Sequence, residues 1–178
     1  LGLRKSAELG NYVLVSTFME APTFGVVAVD TEYNADGELF CFSYTCIEGR
    51  AQVIMASWEG ASTVLASIMS TSERVVFHSA QADIPKILKF CGHKMGGPFD
   101  WGKVEDTIVQ AYLLGKQPLA LKTLAENELG LTVIRLKDVL PEGSELSEVP
   151  IESLVRYSGQ DADLTLRLYN KFREEIIK

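Results

Sequence analysis

The sequence predicts one α/β domain, built as a mixed sheet with helices on both faces. Three observations predict it. Between Val26 and Met55, three runs rich in β-forming residues follow one another with only short turns between them. After Trp58 the apolar spacing changes to a helical period. Beyond that point a short apolar run, Arg74–Phe77, is again followed by helical patterning, so strands and helices alternate as in a layered α/β fold.

Taken in order, Asn11–Met19 reads as a strand that ends at Pro22. Val26–Tyr33 (Val-Val-Ala-Val-Asp-Thr-Glu-Tyr) starts as a Val-rich apolar run, the pattern of a strand buried on both faces. Asn34-Ala35-Asp36-Gly37 is a hairpin-type turn with Gly37 at a position needing positive φ. Leu39–Cys46 then pairs back antiparallel, and after the Glu48-Gly49-Arg50 turn Gln52–Met55 completes a three-strand meander. Trp58–Thr71 places Val64, Leu65, Ile68 and Met69 on one helical face. Ala82–Cys91 is a second helix, with Pro85 tolerated in its first turn. Gly92–Gly102 is a loop, Lys103–Asp106 a short strand and Thr107–Leu114 a helix broken by Pro118. Leu119–Leu129 is a helix closed by Gly130. An acidic loop, Pro141–Pro150, leads to helical segments Ile151–Tyr157 and Ser158–Ile177, with a bend near Gly159.

Composition bounds the function. At 178 residues the chain is long enough for one domain with a full core, and 47% hydrophobic residues exclude a disordered chain. No apolar run has the length of a membrane span. The opening Leu-Gly-Leu-Arg-Lys lacks the apolar segment of a signal peptide, and a first residue other than Met suggests an excised fragment or a processed product. Cys41, Cys46 and Cys91 form no Cys-x-x-Cys pair and read as buried reduced thiols of an intracellular protein. His78 and His93 are too few for a His-rich metal site and read as structural. A net charge of −7 opposes nucleic-acid binding through Lys and Arg alone. Clustered acids that hold divalent cations would reverse that local sign.

Such a cluster is legible. Residues two apart on a strand share a face, so Asp30 and Glu32 point the same way at the end of a buried strand. Their repulsion needs a proton, a basic partner or a cation to offset it. Taken alone, the pair is equally compatible with two solvated acids where the chain leaves the core. Asp83 opens the helix after Arg74–Phe77, a strand that a right-handed β-α unit brings beside Val26–Tyr33 with both carboxyl ends at one edge. Alone, Asp83 reads first as an acid favoured by the helix N-terminus, which explains most such aspartates. Tyr157 and Asp161 are one helical turn apart on a face that continues through Leu164, Leu168 and Phe172, where a charge is costly unless paired or metal-bound. Asp163 rotates off this face and is expected to be exposed. Four carboxylates from three elements suit hard divalent cations with oxygen ligands. Two such cations about 4 Å apart activate a water and stabilise a leaving oxygen, and a tyrosine hydroxyl beside them can hold the water.

These residues resemble the motifs of the DEDD exonucleases of the ribonuclease H-like fold, in the subgroup with tyrosine in the third motif. Asp30-Thr31-Glu32 resembles the first motif, His78-Ser79-Ala80-Gln81-Ala82-Asp83 the second, and Tyr157-Ser158-Gly159-Gln160-Asp161 the third. All three occur in the family's order. Within the family the chain is most similar to the 3′–5′ proofreading domain of family A DNA polymerases. Asp106-Thr107-Ile108 with Ala111-Tyr112-Leu113-Leu114, Leu121-Lys122-Thr123-Leu124-Ala125, and Asp161-Ala162-Asp163-Leu164-Thr165-Leu166 carry that likeness, as does Asn11-Tyr12-Val13 at the domain's opening strand.

The resemblance implies a mainly five-stranded mixed sheet with one antiparallel strand, and one exonuclease domain over residues 1–178. It implies a metal-dependent hydrolase that removes nucleoside monophosphates from the 3′ end of single-stranded DNA, with two Mg²⁺ or Mn²⁺ ions per site. Asp30, Glu32, Asp83 and Asp161 would hold the ions, and Tyr157 would orient the water. The implied setting is a monomer, off the membrane, in the cytoplasm of a bacterium or a phage-infected cell, with a polymerase domain in the same parent chain.

Two positions depart from the family's pattern. Ser79 stands where an Asn that contacts the substrate strand is usual, four before Asp83, and Tyr33 follows Glu32 where Thr or Phe is more usual. Thr31, Tyr33, Ser79 and Leu39 are the candidate substrate-binding residues; Leu39, Phe40 or Tyr33 would wedge the terminal bases. Lys86, Lys89, Lys94, Lys103, Lys116 and Lys122 are candidates for a basic surface, although each alone reads as a solvated lysine. Two alternatives stand beside the DNA exonuclease. One is a ribonuclease D-like RNA exonuclease, disfavoured by the Asp-Ala-Asp-Leu-Thr tail. The other is an inactive binding module, disfavoured by retention of all four acids and the tyrosine.

Overall fold

The structure, a computed structural model, describes residues 10–15 and 25–178. Expectations for Ser16–Met19 and Pro22 lie outside those residues. The described strands are β1 (Asn11–Leu14), β2 (Val26–Tyr33), β3 (Leu39–Thr45), β4 (Arg50–Met55), β5 (Arg74–Phe77) and β6 (Val104–Asp106). They form one sheet in the order β1-β4-β3-β2-β5-β6. Only β3 runs against the others, since β1/β4, β2/β5 and β5/β6 pair parallel and β2/β3 and β3/β4 antiparallel. The mixed sheet and its single reversed strand are as expected, with six described strands where the resemblance implied mainly five.

The two faces follow from strand alternation. On one, Val27, Val29, Phe42, Ile54, Val75 and Phe77 pack against two helices, α1 (Ala61–Thr71) and α2 (Ala80–Cys91), through Leu65, Ile68, Met69, Ile84 and Ile87. On the other, Ala28 and Val76 meet Leu166 and Tyr169, and Cys41 and Val53 meet Leu154 and Val155, all four partners on the last helix. Each large apolar side chain so buried contributes about 1.5–3 kcal/mol. Helices α3 (Thr107–Leu113), α4 (Leu121–Leu124, continuing in a wider π-helical coil through Leu129) and α5 (Leu136–Val139) precede that last helix, α6 (Ile151–Ile177). The side of α6 turned away from the sheet is also covered. Leu168 and Phe172 pack on Ala111 and Leu124, and Leu164 on Ala125, Leu131 and Val133. Residues 157–166 are therefore buried on every side of the helix.

Several local expectations change. The bend near Gly159 is absent and α6 is continuous. A Cβ at Gly159 would stand 2.7 Å from the Tyr12 Cβ, so the glycine allows β1 to approach the helix closely. Helix α2 begins at Ala80, two residues earlier than predicted, which puts Pro85 in the second turn, where it leaves the Gln81 carbonyl without its helical N–H partner. Helix α1 begins at Ala61 because Trp58 lies in a turn, its N–H bonded to the Met55 carbonyl. Cys41 and Cys91 are buried as predicted, but Cys46 is exposed just beyond the end of β3. Gly37 and Gly130 take the positive φ their turn and cap require, 82° and 66°. Among the described residues no helix is long and apolar enough to cross a membrane.

Candidate active site

Strand β2 lies inside the sheet, between β3 and β5. Its alternation turns Asp30 and Glu32 toward α6, and α6 presents Tyr157 and Asp161 one turn apart. Asp30, Glu32 and Asp161 each bring a carboxylate oxygen within 4.8 Å of the others. Burial, with the neighbouring Glu32 and Asp83 charges, holds the Asp30 carboxyl well above the usual carboxylate range. Burial pushes the Glu32 carboxyl up to about 7, against the pull of the Lys122 ammonium. Tyr157 is buried, and desolvation together with Glu32 and Asp30 raises its phenol, which stays protonated at neutral pH. Asp30 Oδ2 is buried with no hydrogen-bond partner. An orphaned carboxylate oxygen within an all-carboxylate group, with neither His nor Cys in it, fits a hard divalent cation.

Asp83 is not part of that close trio. It approaches from α2, on the opposite face of β2, and accepts a 2.8 Å hydrogen bond from Thr31 Oγ1. Burial raises its carboxyl to about 6, while the Thr31 hydrogen bond and Lys86 pull it down. The acids thus straddle the carboxyl end of the strand, Asp30, Glu32 and Asp161 on the α6 face and Asp83 on the α2 face.

Ser79 takes a left-handed backbone conformation (φ 84°) immediately before α2. Its N–H and that of Ala80 donate to the Asp106 carboxylate at 3.1 and 2.8 Å. Asp106 also accepts from Ile108 N–H at 2.8 Å, so one side chain caps α3 and fixes the turn that delivers Asp83. Thr31 is buried behind its bond to Asp83, while Tyr33 and Leu39 sit half-buried opposite one another. The pairing shifts between Glu32 and Tyr33, leaving Phe40 without an opposite number. Such a bulge re-aims side chains at the end of a ladder. The Lys86 ammonium lies 3.9 Å from the Tyr33 ring centroid.

Two expectations are corrected here. Asp163 is buried, not exposed: it accepts from Tyr12 Oη at 2.7 Å, Gly49 N–H at 2.8 Å and Arg167 Nε at 2.9 Å. It is an anchor between β1, the turn before β4 and α6. Lys122 does not belong to a basic surface. Its ammonium pairs with Asp161 and lies 4.6 Å from the Tyr157 ring centroid. The signal for this was present, because Lys122 stands three residues before the buried Ala125, on the face that helix turns inward. Asp106 and Gln160 were also missed as site residues. Gln160 is buried, bridges both backbone groups of Ile134 and donates to Asp161 Oδ1 at 3.1 Å. His78 is structural as read from sequence: Nε2 donates to the Leu119 carbonyl at 2.9 Å and Nδ1 meets Thr107 Oγ1 at 2.7 Å.

Comparison with known proteins bears on this geometry. A family model described as 3′–5′ exonuclease matches residues 11–177. DNA polymerase I of Borreliella burgdorferi is 33% identical over 72 residues, 40% of this chain and 8% of the polymerase. DNA polymerase I of Treponema pallidum is 36% identical over 67 residues, 36% of this chain and 7% of the polymerase. The matches thus span only a small part of these relatives. Among solved structures, NrnC of Brucella melitensis with bound Mg²⁺ superimposes with a TM-score of 0.67 at 18% identity, over 89% of this chain and 76% of that one. The catalytic core of RRP6 from Trypanosoma brucei gives 0.63 at 17% identity, over 87% and 42%. At these identities the likeness shows a shared fold.

Proposed function

This chain belongs to the 3′–5′ exonuclease family, and we propose that it releases nucleoside monophosphates from the 3′ end of single-stranded DNA as the proofreading part of a DNA polymerase. The polymerase domain would lie in the same parent chain, and residues 1–178 would form one exonuclease domain, monomeric and cytoplasmic. The observation that carries the reading is the approach of Asp30, Glu32 and Asp161 within 4.8 Å of one another at the carboxyl end of β2. The partial likeness to two DNA polymerases supports the DNA branch.

In this reading Asp30, Glu32 and Asp161 hold Mg²⁺ or Mn²⁺, with Asp83 completing the set from the other face. Bound there, a pair of divalent cations would supply a nucleophilic water at neutral pH and offset the charge of the leaving oxygen. The chain's own residues do the rest. Asp30 and Glu32 are fixed by the β2 ladder, and Asp161 by its helix and by Gln160. The Tyr157 phenol, kept protonated by burial and its acidic neighbours, offers a hydrogen bond that orients the attacking water. Thr31 positions Asp83, and Tyr33 and Leu39, beyond the bulge, offer an apolar surface to the terminal bases.

Digestion of labelled single-stranded DNA with Mn²⁺, wild type against Asp30→Ala, tests this reading. Loss of hydrolysis with an intact fold supports it, and an unchanged rate removes it. A second reading, an RNA exonuclease, would use the same carboxylates. Rates on matched DNA and RNA oligonucleotides separate the two.

A further inference from the structure

Lys122 is a cation inside the acidic group, and the fold aims it there. Leu124 and Ala125 bury the helix that carries it against Leu168 and Leu164 of α6. His78 holds the Leu119 carbonyl three residues upstream. The Lys122 side chain is 13% exposed and that of its partner Asp161 is 8% exposed. Its ammonium pairs with Asp161 Oδ1 beneath the Tyr157 ring, and Asp30 and Glu32 lie near enough to act on it electrostatically. Without a metal, three carboxylates held this close by strand and helix repel one another, and a buried ammonium offsets part of that repulsion.

We infer that Lys122 is the resident cation of the metal-free site: its ammonium holds the Asp161 oxygen and withdraws when a divalent ion takes that position. An ammonium and a divalent ion drawn to the same Asp161 oxygen repel each other at short range, so each weakens the other's hold on it. Lys122 therefore stabilises the empty site and raises the divalent-ion concentration at which the site fills. This rests on the reading that Asp30, Glu32 and Asp161 are metal ligands. It separates Lys122 from a merely structural lysine, whose loss would weaken folding and metal binding together.

The experiment compares the full chain with Lys122→Met and Lys122→Gln. Thermal melting in EDTA and in Mn²⁺ is combined with calorimetric titration of Mn²⁺. Removal of the ammonium should lower the melting temperature in EDTA and tighten Mn²⁺ binding by about tenfold, with the melting difference closing as Mn²⁺ is added. Equal or weaker Mn²⁺ binding by a folded variant overturns the inference. A crystal of the wild type soaked in Mn²⁺ gives a readout independent of variant folding. Mn²⁺ on Asp161, with Lys122 Nζ beyond ion-pair distance, supports the exchange. Mn²⁺ there with Lys122 still on the same oxygen overturns the inference alone. No Mn²⁺ at Asp30, Glu32 and Asp161 overturns both it and the metal-site reading.

Discussion

Thr31 Oγ1 donates a hydrogen bond to Asp83 Oδ1 at 2.8 Å, tying the central strand to the helix on its second face. Thr31 sits between Asp30 and Glu32, so one three-residue stretch addresses both faces of the sheet. Thr31→Val keeps the shape and removes the bond. Losing a hydrogen bond to a charged group costs about 1.5–3 kcal/mol, so hydrolysis should slow by about 10- to 100-fold. The bond lowers a carboxyl that burial raises to about 6, so the acid limb of the pH–rate profile should move to higher pH in the variant. Steady-state rates on single-stranded DNA across that limb check both outcomes.

The metal-free protein should lose stability as pH rises. Glu32 goes from an ordinary value of 4.5 to about 7 on folding, and Asp83 from 3.8 to about 6. A raised carboxyl binds more protons in the folded state, so its penalty is absent below the unfolded pKa and complete above the folded one. In EDTA, melting temperature should fall through this window, by about 5 °C for a loss of about 2 kcal/mol in a chain of this size. Saturating Mn²⁺ should abolish or reverse the fall. A melting temperature in EDTA that rises from pH 5 to pH 7 would contradict the assignment.

Ser79→Asn should stabilise the fold. Ser79 holds φ 84°, a left-handed conformation that Asn tolerates better than Ser. The gain expected is about 0.5–1 kcal/mol, read as a higher urea midpoint with an unchanged slope.

Asp161 and Asp163 should separate cleanly, although only one residue lies between them. Asp161→Asn should abolish Mn²⁺ binding while keeping an oxygen for Lys122, and leave the chain folded. Asp163→Ala strands Arg167, Tyr12 and the Gly49 N–H, and should cost about 3–5 kcal/mol in denaturant unfolding. Calorimetry with Mn²⁺ and urea unfolding on both variants make the comparison.

The acidic strand, the meander and its Gly37 turn were legible because each depends on neighbours in sequence. Alternation sends Asp30 and Glu32 to one face, and the helical turn does the same for Tyr157 and Asp161, whatever packs against them. Asp163 was misread because periodicity gives its direction on α6 but not what lies there. Tyr12 is 151 residues away from it and Gly49 is 114. A helix covered on all sides has no solvent face on which to place a charge.

Lys122 and Asp83 show the same division at the site. The chain's own order of residues determined that Asp30 and Glu32 share one strand face and that Tyr157 and Asp161 share one helix face. Only the tertiary structure decided that Asp161 joins Asp30 and Glu32 on one face of β2 while Asp83 reaches the other, and that a buried lysine pairs with Asp161. The physical reason is reach. Local periodicity orients a side chain relative to its own element, whereas the charge it meets in the buried space is set by how elements far apart in the chain pack together.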